Sequence, residues 1–488
     1  MKIVYCLAAL TISHALWSQS NCAIDLAHQS IEALGGQARI DQIRNLQLSG
    51  YGYRNALEQS ERFEGPYIPE SFTFENLLNW QEGISVWRSQ EKVFTFQQQN
   101  NYLVNDNNVV MRMKTDRIPA SPFLNVVDDL SLNPLTVLKH ALAAPTLRCL
   151  KDSLVQKVPH RRLQFQYKEW PVTISINSNT LLITCVEVQR PYADAFLNVW
   201  GDTKKIIHFS FWDLLDNGVH YPRQRDIYFL GNLWESLLIT DMAVNKPLAN
   251  DSLRLTPEEK TASHNYASTQ EARIRKMLTL KKEIAKDVWL LPGMCNSTVV
   301  KQDDGLLIIE APNTSVNMEL ILEQVKEIFP NVPVKSIVST SDAWLHCGGV
   351  RAAAANARVI ALRNNQPIIE ALLAAHYKTN PDRWQTIKNK NPVIQYVQGR
   401  TTLPSSSNGL ELIPFNTEAG ERMMMVYFPS SKLLYASDLL QPGNWQKHYT
   451  LEVLQAVKRE KLDVQTIYAM HLPVRPFADI ISQMKGLE

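Results

Sequence analysis

Charge of one sign is what this chain most evidently lacks. Lys and Arg total 50 against 48 Asp and Glu, so no net field recruits nucleic acid or an anionic membrane surface. Long hydrophobic runs are also missing beyond the first residues, and no later segment reaches the roughly 20 apolar residues of a transmembrane helix. The chain has no Gly-rich phosphate cradle, no strand–Gly-x-Gly-x-x-Gly–helix unit and no Gly-x-Ser-x-Gly elbow, which leaves nucleotide-driven and serine-hydrolase mechanisms without support. Cysteine is scarce, at six in 488 residues. With 45% hydrophobic and 20% charged residues the composition is that of a globular protein. The length exceeds what one core usually organises, which predicts two domains.

Residues 1–20 read as a leader. Lys2 supplies a positive start, Ile3 to Trp17 an apolar stretch too short to span, and Ser18 and Ser20 small residues for cleavage. An exported, periplasmic or secreted protein is expected. Gln19-Ser20-Asn21 ahead of Cys22 lacks the small apolar residues of a lipobox. Cleavage leaves Cys22, Cys149, Cys185, Cys295 and Cys347, an odd number with no close metal-binding spacing. Cys149 with Cys185 is the expected bridge in an oxidising compartment, and small buried hydrophobes are the alternative.

From residue 21 to 255 the pattern is β. A short helix at Leu26–Leu34 stops at Gly35-Gly36, where glycine takes a left-handed cap. Runs alternating apolar and polar follow at Leu46–Tyr51, Ser71–Glu75, Leu163–Tyr167, Val172–Ile176 and Ile207–Phe211. Alternation with period two means one buried and one wet face, hence antiparallel sheet. The pattern resembles the half-barrel of periplasmic lipoprotein carriers, which implies an apolar ligand. Residues 256–285 read as a linker helix: Thr256-Pro257-Glu258-Glu259 is a capping box with proline at the first helical position. Beyond residue 286 strands and helices mix. Strands are predicted at Val288–Leu291, Leu306–Glu310, Ser336–Ser339, Arg358–Leu362, Met424–Phe428, Leu433–Ala436 and Thr466–Ala469, among others. Helices are predicted near Val316–Ile328, Gly349–Asn356, Pro367–His376 and Trp445–Lys458. The fold class is therefore α+β, an antiparallel β half-barrel-like domain followed by a sandwich of two sheets covered by helices.

Four landmarks in 286–488 give the second domain a family likeness. These are Trp289-Leu290-Leu291-Pro292-Gly293 with Asp304–Glu310, the run Ile337-Val338-Ser339-Thr340 leading into Ser341–Gly349, Leu433–Asp438, and Tyr468-Ala469-Met470-His471. In this order they resemble the metallo-β-lactamase superfamily, which implies an αββα fold, a metal site at the strand ends and hydrolysis of a small-molecule substrate. The family's loop reads His-x-His-x-Asp-His; here Ser341 and Ala343 stand where the first two histidines belong and Leu345 where the aspartate does. The resemblance leaves His346, Asp438 and His471 as ligands of one divalent ion, with Zn²⁺ the first expectation and Fe²⁺ or Mn²⁺ also suited. Asp342, adjacent in the loop, is the candidate general base, with an extra metal ligand as the alternative role if the loop turns it inward. No histidine lies between Asn416 and Met423, where Glu418 and Glu421 are the substitutes on offer.

A second reading keeps the same residues without metal. His346, Asp438 and His471 can form a hydrogen-bonded trio in a pseudoenzyme whose β domain binds an apolar ligand. His448 reads as a surface histidine, His376 as a helix-end residue, Cys347 as a buried thiol and Met423-Met424-Met425 as strand core.

Overall fold

The computed structural model describes residues 21–58, 62–93, 96–113, 116–193, 197–247, 253–388, 390–442 and 447–485. The leader over residues 1–20, with Lys2, Ser18 and Ser20, lies outside them, as do Trp445 and Gln446 of the last helix predicted. The chain is a mixed α/β structure with large antiparallel sheets, divided into two compact units. The first comprises Met1–Ala56, Pro69–Asp194 and Asp202–Ala267, the second Leu57–Ile68, Ala195–Gly201 and Ser268–Glu488.

In the first unit, among the described residues, thirteen strands from Asn45–Asn55 to Asn232–Val244 form one antiparallel sheet. Each strand pairs with its sequence neighbour, except that the sixth, Asp116–Ala120, and the seventh, Arg148–Val155, are the two edges while the first pairs with the last. Alternation drives this order: Phe72 and Phe74 are buried where Ser71, Thr73 and Glu75 are exposed, and Phe74 stacks on Trp87 at 5.1 Å. The pairing of first with last strand is tight and slips at Ser49/Gly50. A side chain at Gly50 would meet Leu238 O at 2.0 Å, so only glycine permits this approach.

Helix 21–34 buries Ala23, Leu26, Ala27, Ile31 and Leu34, and Ser30 Oγ donates to Leu181 O at 2.7 Å. Inside the same unit, Asp128 accepts from Arg190 Nη2 at 2.9 Å, from Lys205 Nζ at 2.9 Å and from the Tyr192 hydroxyl at 3.0 Å. The bridge expected between Cys149 and Cys185 is corrected here. Their strands, Arg148–Val155 and Ile183–Pro191, are separated by two others. At about 4.8 Å per strand they lie roughly 14 Å apart, twice the roughly 7 Å limit between the Cα atoms of a disulfide.

The helix Pro257–His264 starts on the capping box the sequence announces, Glu259 N–H reaching Thr256 Oγ1 at 3.2 Å and Thr256 N–H reaching Glu259 Oε2 at 2.8 Å. A second helix follows at Tyr266–Leu278. Residues Lys282–Ala285, read from sequence as the end of a linker, are instead an edge strand paired with Val288–Leu291. Its charged residues suit an edge that must not recruit further strands.

The second unit contains, among the described residues, a seven-stranded and a six-stranded sheet. The seven strands lie in chain order from Lys282–Ala285 to Ile394–Val397 and become parallel from Gly305–Ile309 onward. The six run from Thr401–Leu403 to Arg475–Pro476, with one parallel pair, Leu433–Tyr435 and Thr466–Tyr468. Parallel neighbours need crossovers, and helices Ser315–Ile328 and Lys447–Arg459 provide two of them. Val300, Leu307, Ile309, Val338 and Ile360 of one sheet meet Leu412, Met424, Val426, Tyr435 and Tyr468 of the other in a single core. The opposite face of the six-stranded sheet, through Ile413, Met425 and Leu434, takes Val453, Ala456 and Ile480 from helices Lys447–Arg459 and Phe477–Gln483. Met424 and Met425 thus fill two cores from one strand, as period two requires.

Candidate metal centre

Four loops at strand ends of the second unit supply the candidate groups. Strand Val334–Ser339 runs into Thr340-Ser341-Asp342-Ala343, and the short helix Trp344–Cys347 then turns His346 into the interior, 1% exposed. Asn313 N–H holds this turn by donating to Leu345 O at 2.6 Å. Strand Leu433–Tyr435 continues to Ser437, which takes a left-handed φ of 51° and so redirects the chain to present Asp438. The strain is held by Met470 N–H on Ser437 O at 2.9 Å and by the Ser437 and Thr340 hydroxyls at 2.7 Å. His471 follows strand Thr466–Tyr468. The loop after Val288–Leu291 is tied to it, since Asn296 N–H donates to Met470 O at 2.8 Å and Asn296 Nδ2 to Ala469 O at 3.0 Å.

These ties bring Cys295, His346 and His471 together, their ligand atoms all within 4.8 Å of one another. Asp438 lies beside the imidazoles, Oδ1 at 3.3 Å from His471 Nε2 and Oδ2 at 3.8 Å from His346 Nε2. It is not within the 4.8 Å group, so the carboxylate adjoins the trio without completing it. Of the residues the sequence nominates, the fold assembles His346, Asp438 and His471. Cys295 is the member sequence reasoning missed: no spacing links it to a histidine, and its place in the turn after the opening strand was its sole signal.

The hydrogen-bond pattern leaves an unresolved pairing. His471 Nδ1 meets Met294 O at 2.8 Å, and because a carbonyl only accepts, that nitrogen carries the hydrogen. The lone pair of Nε2 therefore faces a carboxylate oxygen, acceptor against acceptor, and only a shared proton or a cation reconciles them. Burial acts in the same sense. It pushes the His346 imidazole well below its ordinary value, helped by His471, and it lowers His471 against the Met294 carbonyl. Burial also pushes Asp438 up to about 7, opposed by Gln441 Nε2 donating to Oδ1 at 2.6 Å. The Cys295 thiol is pushed well above its ordinary value by burial and by Asp438 and Glu310.

Ser341 Oγ lies 3.2 Å from His346 Nδ1 and fixes its ring, while Leu345 packs with Cys295 and Met470. Glu418 is exposed and Glu421 is paired with Arg62, so neither joins the group. His448 is largely exposed and 3.1 Å from Glu452; His376 is exposed past the end of helix Gln366–Ala374. The Cys347 thiol is buried, 3.3 Å from Ala343 O.

Asp342, the candidate base, has no hydrogen bond or ion pair to His346, Asp438 or His471 among the described residues. Its carboxyl takes the Phe63 backbone N–H and feels the Arg422 charge, and Oδ2 has no partner. Phe63 belongs to the short stretch 57–68 of this unit; it stacks 6.0 Å from Trp200, which meets Trp344 edge-on at 5.1 Å. Burial pushes Asp342 up to about 7. Below about pH 4 this carboxyl is protonated folded and unfolded alike. Between there and about 7 only the unfolded chain ionises, so stability falls with rising pH. Asp342→Asn keeps an acceptor for Phe63 N–H and is expected to flatten that slope, by as much as about 3–4 kcal/mol across the window. Urea midpoints at pH 5 and 8 measure it, and an unchanged difference between the two would refute the assignment.

A second carboxyl supports the loop from beneath. Glu310, fully buried with φ of 71°, accepts Thr340 N–H at 3.2 Å and the Thr340 hydroxyl. Burial pushes it up to about 8 against those donors.

No family model matches the chain, and no curated protein matches it. Solved structures do. It is similar to the stereoselective inverting sec-alkylsulfatase from Pseudomonas sp., with 15% identity and a TM-score of 0.31 over 44% of this chain and 42% of that one. It is similar to a metallo-β-lactamase from Pontibacter korlensis, with 16% identity and a TM-score of 0.34 over 42% of this chain and 96% of that one. It is similar to the flavodiiron protein from Giardia intestinalis, with 13% identity and a TM-score of 0.33 over 42% of this chain and 58% of that one. The match to the alkylsulfatase spans less than half of that protein. Among the described residues no helix is long and apolar enough to cross a membrane.

Proposed function

We propose that the second unit is a metallo-β-lactamase-fold hydrolase, exported behind the leader at residues 1–20, with one divalent ion held by Cys295, His346 and His471 beside Asp438. The observation that carries the reading is the convergence of one sulfur and two imidazoles within 4.8 Å, with the His471 Nε2 lone pair set against the Asp438 carboxylate. Sulfur and nitrogen donors favour Zn²⁺ over Fe²⁺ or Mn²⁺. Such an ion supplies Lewis acidity toward a hydrolysable bond. The chain does the rest. Met294 O orients His471, Ser341 Oγ orients His346, and Leu345 with Met470 keeps water from the Cys295 side. Asp438 and His471 stay partly exposed, 16% and 22%, which gives a substrate its way in. Gln441 Nε2, donating to Asp438 Oδ1 at 2.6 Å, holds that carboxyl beside His471. Ligation requires Cys295 to lose its proton, so affinity rises with pH.

The test is metal content of the full chain equilibrated with Zn²⁺. One equivalent is expected, with affinity lowered at least about 100-fold in Cys295→Ala, His346→Ala and His471→Ala. Hydrolysis of ester, sulfate-ester or β-lactam chromogens should fall with it. A wild-type chain that retains no metal defeats the reading.

The competing reading, a pseudoenzyme whose N-terminal half-barrel binds an apolar ligand, draws on one observation. A cavity of about 590 Å³ in the first unit is lined by Leu48, Leu77 and Val86, but also by Glu75, Arg88 and Asp241. That lining suits a ligand with a polar end more than a wholly apolar one.

A further inference from the structure

Helix 21–34 and the edge strand Arg148–Val155 are far apart in sequence, yet each presents a cysteine to the other. Cys22 Sγ lies 2.8 Å from Cys149 Sγ, across 127 positions of chain. Both residues are half-buried, so they are held by structure and still reachable from solvent. Arg161 Nη2 stands 3.8 Å from Cys22 Sγ. Cys185, by contrast, is buried three strands further into the sheet, and Cys295 and Cys347 are buried in the other unit.

From this juxtaposition we propose that Cys22 and Cys149 form a disulfide in the working protein, joining the N-terminal helix to the sheet edge. The nucleophile is Cys22, the sulfur beside the Arg161 guanidinium, attacking as its thiolate. It attacks the disulfide of a thiol oxidant, forming a mixed disulfide and releasing one thiolate. Cys149, after losing its proton, attacks Cys22 Sγ and expels the second thiolate. Two thiols have then given up two protons and two electrons, and the oxidant's disulfide has become two thiols. The bond closes a long loop, the case in which cross-linking most restricts the unfolded chain. It also gives Cys22 a use that does not depend on lipid attachment.

The experiment uses the full chain, reduced and then incubated with oxidised glutathione, alkylated without reductant and mapped by mass spectrometry. A peptide pair joining Cys22 to Cys149, lighter by two hydrogens than the sum of its parts, is expected. Cys185, Cys295 and Cys347 should be alkylated once the chain is unfolded. Glutathione retained on Cys22 or Cys149, both thiols alkylated, or Cys149 joined to Cys185 overturns the proposal. A diacylglyceryl group on Cys22 in chain recovered from an exporting host overturns it as well. As a second readout, reduction should lower the thermal midpoint on the order of 5–10 °C, and Cys22→Ser should match the reduced wild type. A midpoint indifferent to reductant, with no joined peptide, also counts against the bond.

Discussion

Replacing Asp128 by alanine should cost about 3–5 kcal/mol of stability. Burial alone would raise the Asp128 carboxyl, but the Arg190 and Lys205 charges, with the Tyr192 hydroxyl, hold it below its ordinary value. Lys205 is wholly buried and Arg190 nearly so. Without the carboxylate two cations remain in the interior, with Asn125 Oδ1 and the backbone carbonyls of Leu124 and Pro191 as partners. Neutral acceptors cannot offset the desolvation of a charge. The measurement is a urea midpoint for the full chain, followed by tryptophan fluorescence. Pairing Asp128→Leu with Lys205→Met should restore part of the loss, because an absent ion pair costs less than a broken one. A single-variant loss below about 1 kcal/mol would mean that water reaches these groups.

Gly348→Ala is the second large effect, and it acts on the candidate metal centre through shape alone. Gly348 has an ordinary helical φ of −60°, so conformation is no obstacle. Space is: an added Cβ would lie 1.9 Å from Asn313 O and 2.8 Å from Val199 Cβ. Asn313 also donates to Leu345 O, so the residue that must yield is the one that holds the turn before His346. We expect roughly 2–3 kcal/mol of destabilisation and Zn²⁺ affinity weakened by about tenfold or more, since small misplacements of a site are costly. Gly399→Ala is the control, with nothing within 4 Å. Equal behaviour of the two variants in thermal melts and Zn²⁺ titrations would refute the packing argument.

Much of the scaffold is legible in the chain because it obeys local rules. Alternation at Ser71–Glu75 gives a strand with Phe72 and Phe74 inside, and Thr256 with Glu259 marks a helix start that the structure bears out in both hydrogen bonds. What sequence does not show is set by tertiary contacts. Lys282–Ala285 has little apolar signal because it is an edge. Asp438 and His471 follow strands and can be guessed from that position, whereas Cys295 reaches the cluster only because Asn296 ties its loop to Met470 and Ala469. The partner of Asp342 is equally hidden, since Phe63 comes from a segment that reads as part of the β-rich half.

That last arrangement has a temporal side. The second unit takes residues 57–68 and 195–201 as well as everything from Ser268 onward, so its pieces leave the ribosome at three separate times. Phe63 and Trp200 are synthesised well before Trp344, the ring Trp200 meets. A nascent chain that finished one half and then the other would leave those aromatic rings in water meanwhile. Maturation of the cluster that holds His346 is therefore tied to completion of the whole polypeptide.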